Sequence, residues 1–230
     1  MQRKNHTAEG FSVPQSAHGE LAGPNAEYVL LPQLRPAIVM LLLFTVLTGL
    51  LYPLAMTGLA QLAFPVAANG SLLFKDGKVV GSALIGQAFT SDRYFQPRPS
   101  ATSAPDPKDA SKIIDSPYNA ANSGGSNLGP LSKALHDRVA AAAIALRTSS
   151  GANSVPADAV TTSASGLDPD ISPEFAMLQV GRIAKARHLP EDRVRQLVSS
   201  RVQQRALKII GEPRVNVLGL NLALDDMPAS

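Results

Sequence analysis

The chain contains no cysteine and no tryptophan, and aromatic residues fill only 5% of its 230 positions. Without cysteine there is no disulfide, no thiolate metal site and no sulfur nucleophile, and the redox compartment is left open. So few aromatics, beside 17 glycines and 18 prolines, imply a modest core and many turns. A large excess of charge of either sign is missing too. The net charge is +3, too small an excess to argue for a nucleic-acid binder. A hydrophobic share of 45% with 17% charged residues excludes a disordered or collagen-like polymer, and the length excludes a large multidomain enzyme.

Several catalytic motifs are missing as well. No Gly-x-x-x-x-Gly-Lys-Ser/Thr cradle and no Gly-x-Gly-x-x-Gly turn after a strand is present, which removes the commonest phosphate and dinucleotide sites. Ser-x-x-Lys and Gly-x-Ser-x-Gly are absent, so neither familiar serine nucleophile is available. His136 and His188 each fall on an expected helix with no second histidine one turn away, a spacing that does not make a metal site.

What the chain does have is one long apolar run. Between Arg35 and Lys75 no residue is charged, and Ala37 to Phe64 is 28 residues in which glutamine is the most polar side chain. As a helix it would extend about 42 Å, whereas a hydrocarbon core of about 30 Å needs about 20 residues. A cleavable signal peptide would have a shorter apolar region nearer the start, so an uncleaved anchor over 35–65 is the better reading. Pro36 suits a first helical turn. Pro53 either kinks the span or marks where it hands over to an interfacial segment. Basic residues near the run, Arg3, Lys4 and Arg35 before it against Lys75 and Lys78 after it, nearly balance, so charge alone does not orient it. Residues 1–34, with scattered Gly, Ser, Asn and Pro, are expected to be a flexible tail.

Residues 66–230 are enough for one domain of mixed helices and short strands, an α+β class. Asp76-Gly77 between Ser71–Phe74 and Val79–Ser82 signals a hairpin. The stretch 91–130, dense in Pro, Ser, Asn, Asp and Gly, reads as one long loop, either functional or loosely ordered. Helical spacing of apolar residues predicts a helix over 131–147, a second from the Ser172-Pro173 start to His188, and a third that opens at Glu191 and Asp192. Val215 to Leu218 reads as a strand. Three features invite functional readings. Asp168 and Asp170 flank Pro169 as an acid and base pair, or as turn and cap residues. Eight basic residues between Arg182 and Lys208 make an anionic-surface binding module, or a solvated helix face. Ser123 to Asn127 makes an anion-binding turn, or a tightly packed one.

Particular words then narrow the field. Phe95-x-Pro-Arg98-Pro99-Ser100, Tyr118-Asn119 through Ser123-Gly124-Gly125-Ser126-Asn127-Leu128-Gly129-Pro130, and Ser165-Gly166-Leu167-Asp168-Pro169-Asp170-Ile171-Ser172-Pro173 closely resemble the KdpC family. So do Gln179-Val-Gly-Arg182 through Lys185-Ala-Arg187 and Gly211-Glu-Pro213 through Asn216, Leu220-Asn221 and Asp225. This is a subunit family of the bacterial KdpFABC potassium-transporting ATPase. The resemblance implies one helix in the inner membrane, a cytoplasmic N-terminus and a periplasmic domain over 66–230. It implies three partners: a potassium-translocating subunit, a P-type ATPase subunit and a small single-helix subunit. It further implies a non-catalytic, chaperone-like role that raises the P-type ATPase subunit's affinity for ATP and stabilises the complex, and it matches Gln179 to the family's proposed nucleotide-contacting glutamine. Neither nucleic acid nor a metal is expected as a ligand. Set against it stand a membrane-tethered periplasmic enzyme built on Asp168 and Asp170, and the anionic-surface module.

Overall fold

The computed structural model describes residues 26–228, and the chain divides after Phe64 into two units. The first is helical throughout: α1 (Ala26–Val46) runs through one π turn, Leu47–Leu51, into α2 (Tyr52–Ala63). The turn has its cause in Pro53, which offers no N–H to the preceding turn. The backbone widens instead, and Tyr52 N–H reaches back to Leu47 O. Pro53 therefore does not end the helix. Thr48 and Thr57 hydroxyls donate to Phe44 O and Pro53 O at 2.6 and 2.8 Å, so these polar side chains satisfy themselves within the helix.

Over Pro32–Ala63 this is a 32-residue helix, long and apolar enough to cross a membrane, and none of its most apolar stretch is buried against the rest of the chain. A core helix of a soluble domain would be covered by its own protein. The described chain is already helical from Ala26, so residues 26–34 of the expected tail are helical and Pro36 lies inside the helix, not in its first turn; residues 1–25 of that tail lie outside the described residues.

The second unit opens with a single turn, α3 (Pro65–Ala68), then the hairpin of β1 (Leu72–Lys75) and β2 (Lys78–Ser82). Asp76 and Gly77 both have positive φ, 50° and 73°, the twist that a two-residue antiparallel turn needs. The stretch 91–130 is not one loop. It contains a second hairpin, β3 (Ser103–Asp106) with β4 (Asp109–Asp115), closed by Pro107 and Lys108. Its strands carry Pro105, and Ile113 and Ile114 face solvent, so neither alternation nor β-propensity announces it. Helix α4 (Lys133–Ser150) starts where Ser132 accepts from Leu135 N and ends at Gly151 in the left-handed region. Leu131, the first residue of the helix expected over 131–147, is 98% exposed and precedes the helix.

The core gathers around β5 (Asp170–Ile171), α5 (Pro173–Leu178), α6 (Val180–Arg187), α7 (Glu191–Arg201), β6 (Val215–Asn216) and α8 (Val217–Asp225). β5 and β6 pair antiparallel. The expected strand at 215–218 is only half right: after Asn216 the chain turns helical. The Asn216 side chain accepts from Gly219 N at 2.9 Å, capping α8 and ending the strand. Val217, Leu218, Leu220, Ala223 and Leu224 are all buried, so α8 is apolar nearly all round and the other helices cover it. The helix expected from Ser172 to His188 is interrupted at Gln179, where α5 gives way to α6. That break sits at the residue on which the candidate site is built.

Candidate functional site

Two buried amide side chains organise the soluble unit. Gln179, 5% exposed, accepts from Gln96 N at 2.7 Å through Oε1 and donates to Gln96 O at 3.0 Å through Nε2. Asn221, 2% exposed, does the same for the preceding residue, accepting from Phe95 N at 2.8 Å and donating to Phe95 O at 3.0 Å. Each side chain thus imitates a neighbouring strand for a segment that has none. Buried N–H and C=O groups left unpaired would each cost about 1–3 kcal/mol, and the clamps remove that penalty.

Arginines complete the hold. Arg182 donates to Gln179 Oε1 at 2.7 Å, to Asp92 O at 2.7 Å and to Tyr94 O at 3.0 Å. Arg187 donates to Arg93 O and to Asp225 Oδ1, both at 2.7 Å, and lies over the Tyr94 ring at 4.8 Å. Asp225 also receives Lys75 at 3.3 Å and Tyr94 OH at 3.2 Å. Burial opposes its charge, but the hydrogen bonds from Arg187, Lys75 and Tyr94 outweigh it and hold the carboxyl below its ordinary range. Burial likewise lowers the Arg182 value, with Asp92 acting against it.

Beside Gln179 lies an open cavity of about 1050 Å³, its walls including Gln96, Arg182, Lys185, Glu191 and Arg195. The basic run is therefore divided: part of it borders this cavity, while Arg205 and Lys208 belong to a separate projection between α7 and β6. The side chain of Gln179 points its bonds into the protein, and one Nε2 hydrogen is left after its internal partners are counted.

Asp168 and Asp170 border a second recess of about 810 Å³. Both are engaged. Asp168 pairs with Arg98 at 2.8 Å and accepts from Asp170 N at 3.0 Å; Asp170 pairs with Arg214 at 3.0 Å and accepts from Asn216 at 3.1 Å. Burial raises the Asp170 pKa, with help from the Asp168 charge, against the hydrogen bond from Asn216 and the Arg214 charge. This is the arrangement of turn residues tied down by arginines. His136 lies exposed beside Asp137, and among the described residues no cluster of three or more metal-ligating side chains forms.

The small-residue cluster is a packed turn. Gly124 N donates to Ser165 O at 2.9 Å, Ser123 Oγ to the same carbonyl at 3.0 Å, and a Cβ on Gly125 would sit 2.9 Å from Ala164 O. Gly166, at φ +66°, receives the Ser100 hydroxyl on its carbonyl at 2.8 Å. Tyr118 OH donates to Arg98 O at 2.9 Å, and burial, then the Asp168 charge, pushes that phenol well up. The stretch 91–130 is fastened along much of its length. Sequence patterns did not reveal Asn221 or Arg98 as fasteners. The available signal was Asn221 itself, one polar residue in the run Leu-Gly-Leu-Asn-Leu-Ala-Leu.

Comparison with known proteins decides the family. Residues 34–226 match the family model described as KdpC, K+-transporting ATPase, c chain. The chain belongs to the KdpC family. The potassium-transporting ATPase KdpC subunit of Methylobacterium nodulans is 66% identical over 198 residues, 86% of this chain and 98% of the relative. Those of Bradyrhizobium diazoefficiens and Rhodopseudomonas palustris BisB18 are 64% and 62% identical over 196 residues, each 85% of this chain and 98% of the relative. The match to KdpC begins at the apolar helix and takes in both clamps, both recesses and α8.

Proposed function

We propose that this chain is the non-catalytic, chaperone-like subunit of a high-affinity, ATP-driven potassium uptake complex. In this reading the apolar helix spans the bacterial inner membrane, the N-terminus is cytoplasmic and residues 66–230 are periplasmic. Its partners are a potassium-translocating subunit, a P-type ATPase subunit and a small single-helix subunit. The observation that carries the reading is the family match over 34–226, which includes the span as well as the soluble unit. The architecture supports it: loops without regular structure are fastened by buried amides and arginines, which gives a rigid surface for packing on a larger partner.

The subunit is proposed to raise the complex's affinity for ATP, with Gln179 as the residue tied to the nucleotide. The cavity beside Gln179 offers Lys185 and Arg195 for phosphates, but Gln179 itself has one N–H left to give. A periplasmic domain and a cytoplasmic nucleotide do not meet across one span. The effect on ATP is therefore passed through the complex as a coupling free energy between separate sites. Gln179 takes part by fixing the 92–96 segment.

The test is ATP hydrolysis by the complex assembled with and without this chain. The reading expects a higher KM for ATP without it and a similar rise with Gln179→Leu, while the isolated chain hydrolyses nothing and takes no label from a photoreactive ATP analogue. An unchanged KM in the complex lacking the chain contradicts the chaperone role. Labelling of the isolated chain, lost in Gln179→Leu, contradicts coupling and favours direct contact.

A further inference from the structure

The projection between α7 and β6 has no part in either clamp. Its backbone is fixed by paired hydrogen bonds: Gln203 and Arg214 exchange bonds of 2.8 and 3.0 Å, and Ala206 and Ile210 exchange two of 2.9 Å. At its tip Leu207 and Lys208 both have positive φ, 52° and 66°. Glycine and asparagine are the ordinary occupants of such turns, yet here the tip carries aliphatic side chains. Leu207, Ile209 and Ile210 are 82%, 77% and 60% exposed. An ordered apolar knob of this kind is not general surface greasiness.

Basic residues flank it in the sequence. Residues 201–214 hold Arg201, Arg205, Lys208 and Arg214 against Glu212; Arg205 pairs with Glu212 and Arg214 with Asp170, and Lys208 stands at the tip itself beside Leu207 and Ile209. Exposed aliphatic side chains with basic ones beside them suit a bilayer interface, where acyl chains lie beneath anionic phosphates.

We propose that the Leu207–Ile210 tip inserts into the anionic headgroup region of a lipid bilayer, giving the soluble unit a lipid contact of its own besides the apolar helix. The proposal rests on the reading that this helix spans the same membrane, since the tether keeps a lipid surface constantly within reach. A protein pocket of matching shape would need an acidic rim to receive these cations. Anionic lipid supplies that charge everywhere on its surface. The fixed backbone leaves little ordering cost on insertion.

The absence of tryptophan gives a clean probe. Full-length chain with Leu207→Trp, and separately with Ile209→Trp, is reconstituted into vesicles of phosphatidylcholine, alone or with about one-third phosphatidylglycerol. The proposal expects blue-shifted emission and quenching by brominated acyl chains with phosphatidylglycerol present, weakened by high salt. Adding Lys208→Gln should lower insertion about fivefold, the loss of one cation near an anionic surface. Water-like, unquenched emission from both variants in both vesicles overturns it. So does emission that shifts only on assembly with the other subunits and is never quenched by brominated lipid, because the tip then fills a protein pocket. Alkaline carbonate extraction is read separately: a chain stripped from the vesicles refutes the spanning helix, whereas a retained chain with an unquenched tip refutes the insertion alone.

Discussion

Asn221 and Phe95 lie 126 residues apart, yet the Asn221 side chain bonds both backbone groups of Phe95 as a neighbouring strand would. Gln179 treats Gln96 in the same way. Two consecutive residues of an irregular segment thus have their hydrogen bonds supplied from α8 and from the break between α5 and α6. The segment is rigid because side chains, not a sheet, hold it.

Removing a clamp therefore leaves buried polar groups without partners. Gln179→Leu and Asn221→Leu are each expected to cost about 2–4 kcal/mol, since each strands one N–H and one C=O. Thermal or denaturant unfolding of the detergent-solubilised chain measures this. Losses below about 0.5 kcal/mol, the range of an ordinary surface change, would contradict the clamp. In Gln179→Leu, proteolysis should also quicken within 92–96, where Arg182 loses its shared acceptor.

The acid range separates two carboxylates. Asp225 has a lowered folded pKa, so its stabilisation is present above its ordinary value near 3.8 and is lost as pH falls through the lower folded value. Asp225→Asn should destabilise the chain by about 1–3 kcal/mol at neutral pH, and the difference from wild type should vanish in strong acid. Asp170 is opposite in sign. Its folded pKa is raised, so its contribution is present at low pH and is lost as pH rises through that value. Asp170→Asn should accordingly flatten the fall in stability as pH rises from the ordinary value near 3.8 through the raised folded one. Denaturant titrations across pH check both, and parallel profiles for the two variants would refute the assignment.

Gly166 is a backbone test. At φ +66° a Cβ would stand 2.7 Å from Gly124 O, so neither the conformation nor the space admits a side chain. Gly166→Ala should destabilise by at least about 2 kcal/mol and loosen the contact between 123–124 and 165. Gly129→Ala, with open space around its Cβ, is the control and should be near neutral. Equal effects of the two would contradict the packed-turn description.

The apolar helix was plainly legible in the sequence, because a run without charge needs no tertiary context to be recognised. So were the β1–β2 hairpin, through Asp76-Gly77, and α4, through its helical period. The β3–β4 hairpin was hidden because its strands lie exposed and carry Pro105, so no hydrophobic alternation marks them. Val217 and Leu218 looked like strand because a buried helix and a buried strand share the same continuous apolar wording; the Asn216 cap decides between them. Gln179 entered through family resemblance alone. Its physical role depends on Gln96, a residue 83 positions away, and no local pattern encodes such a pairing.

The central claim is membership of a potassium-transporting ATPase complex, held to the membrane by one helix. Its most direct test is solubilisation of membranes from cells that express the tagged full chain, followed by affinity purification and identification of the proteins retained. The account predicts the chain in the membrane fraction with a potassium-translocating subunit, a P-type ATPase subunit and a small single-helix subunit retained together. A chain that stays in the detergent-free supernatant, or one that comes from membranes with none of these partners, would contradict it.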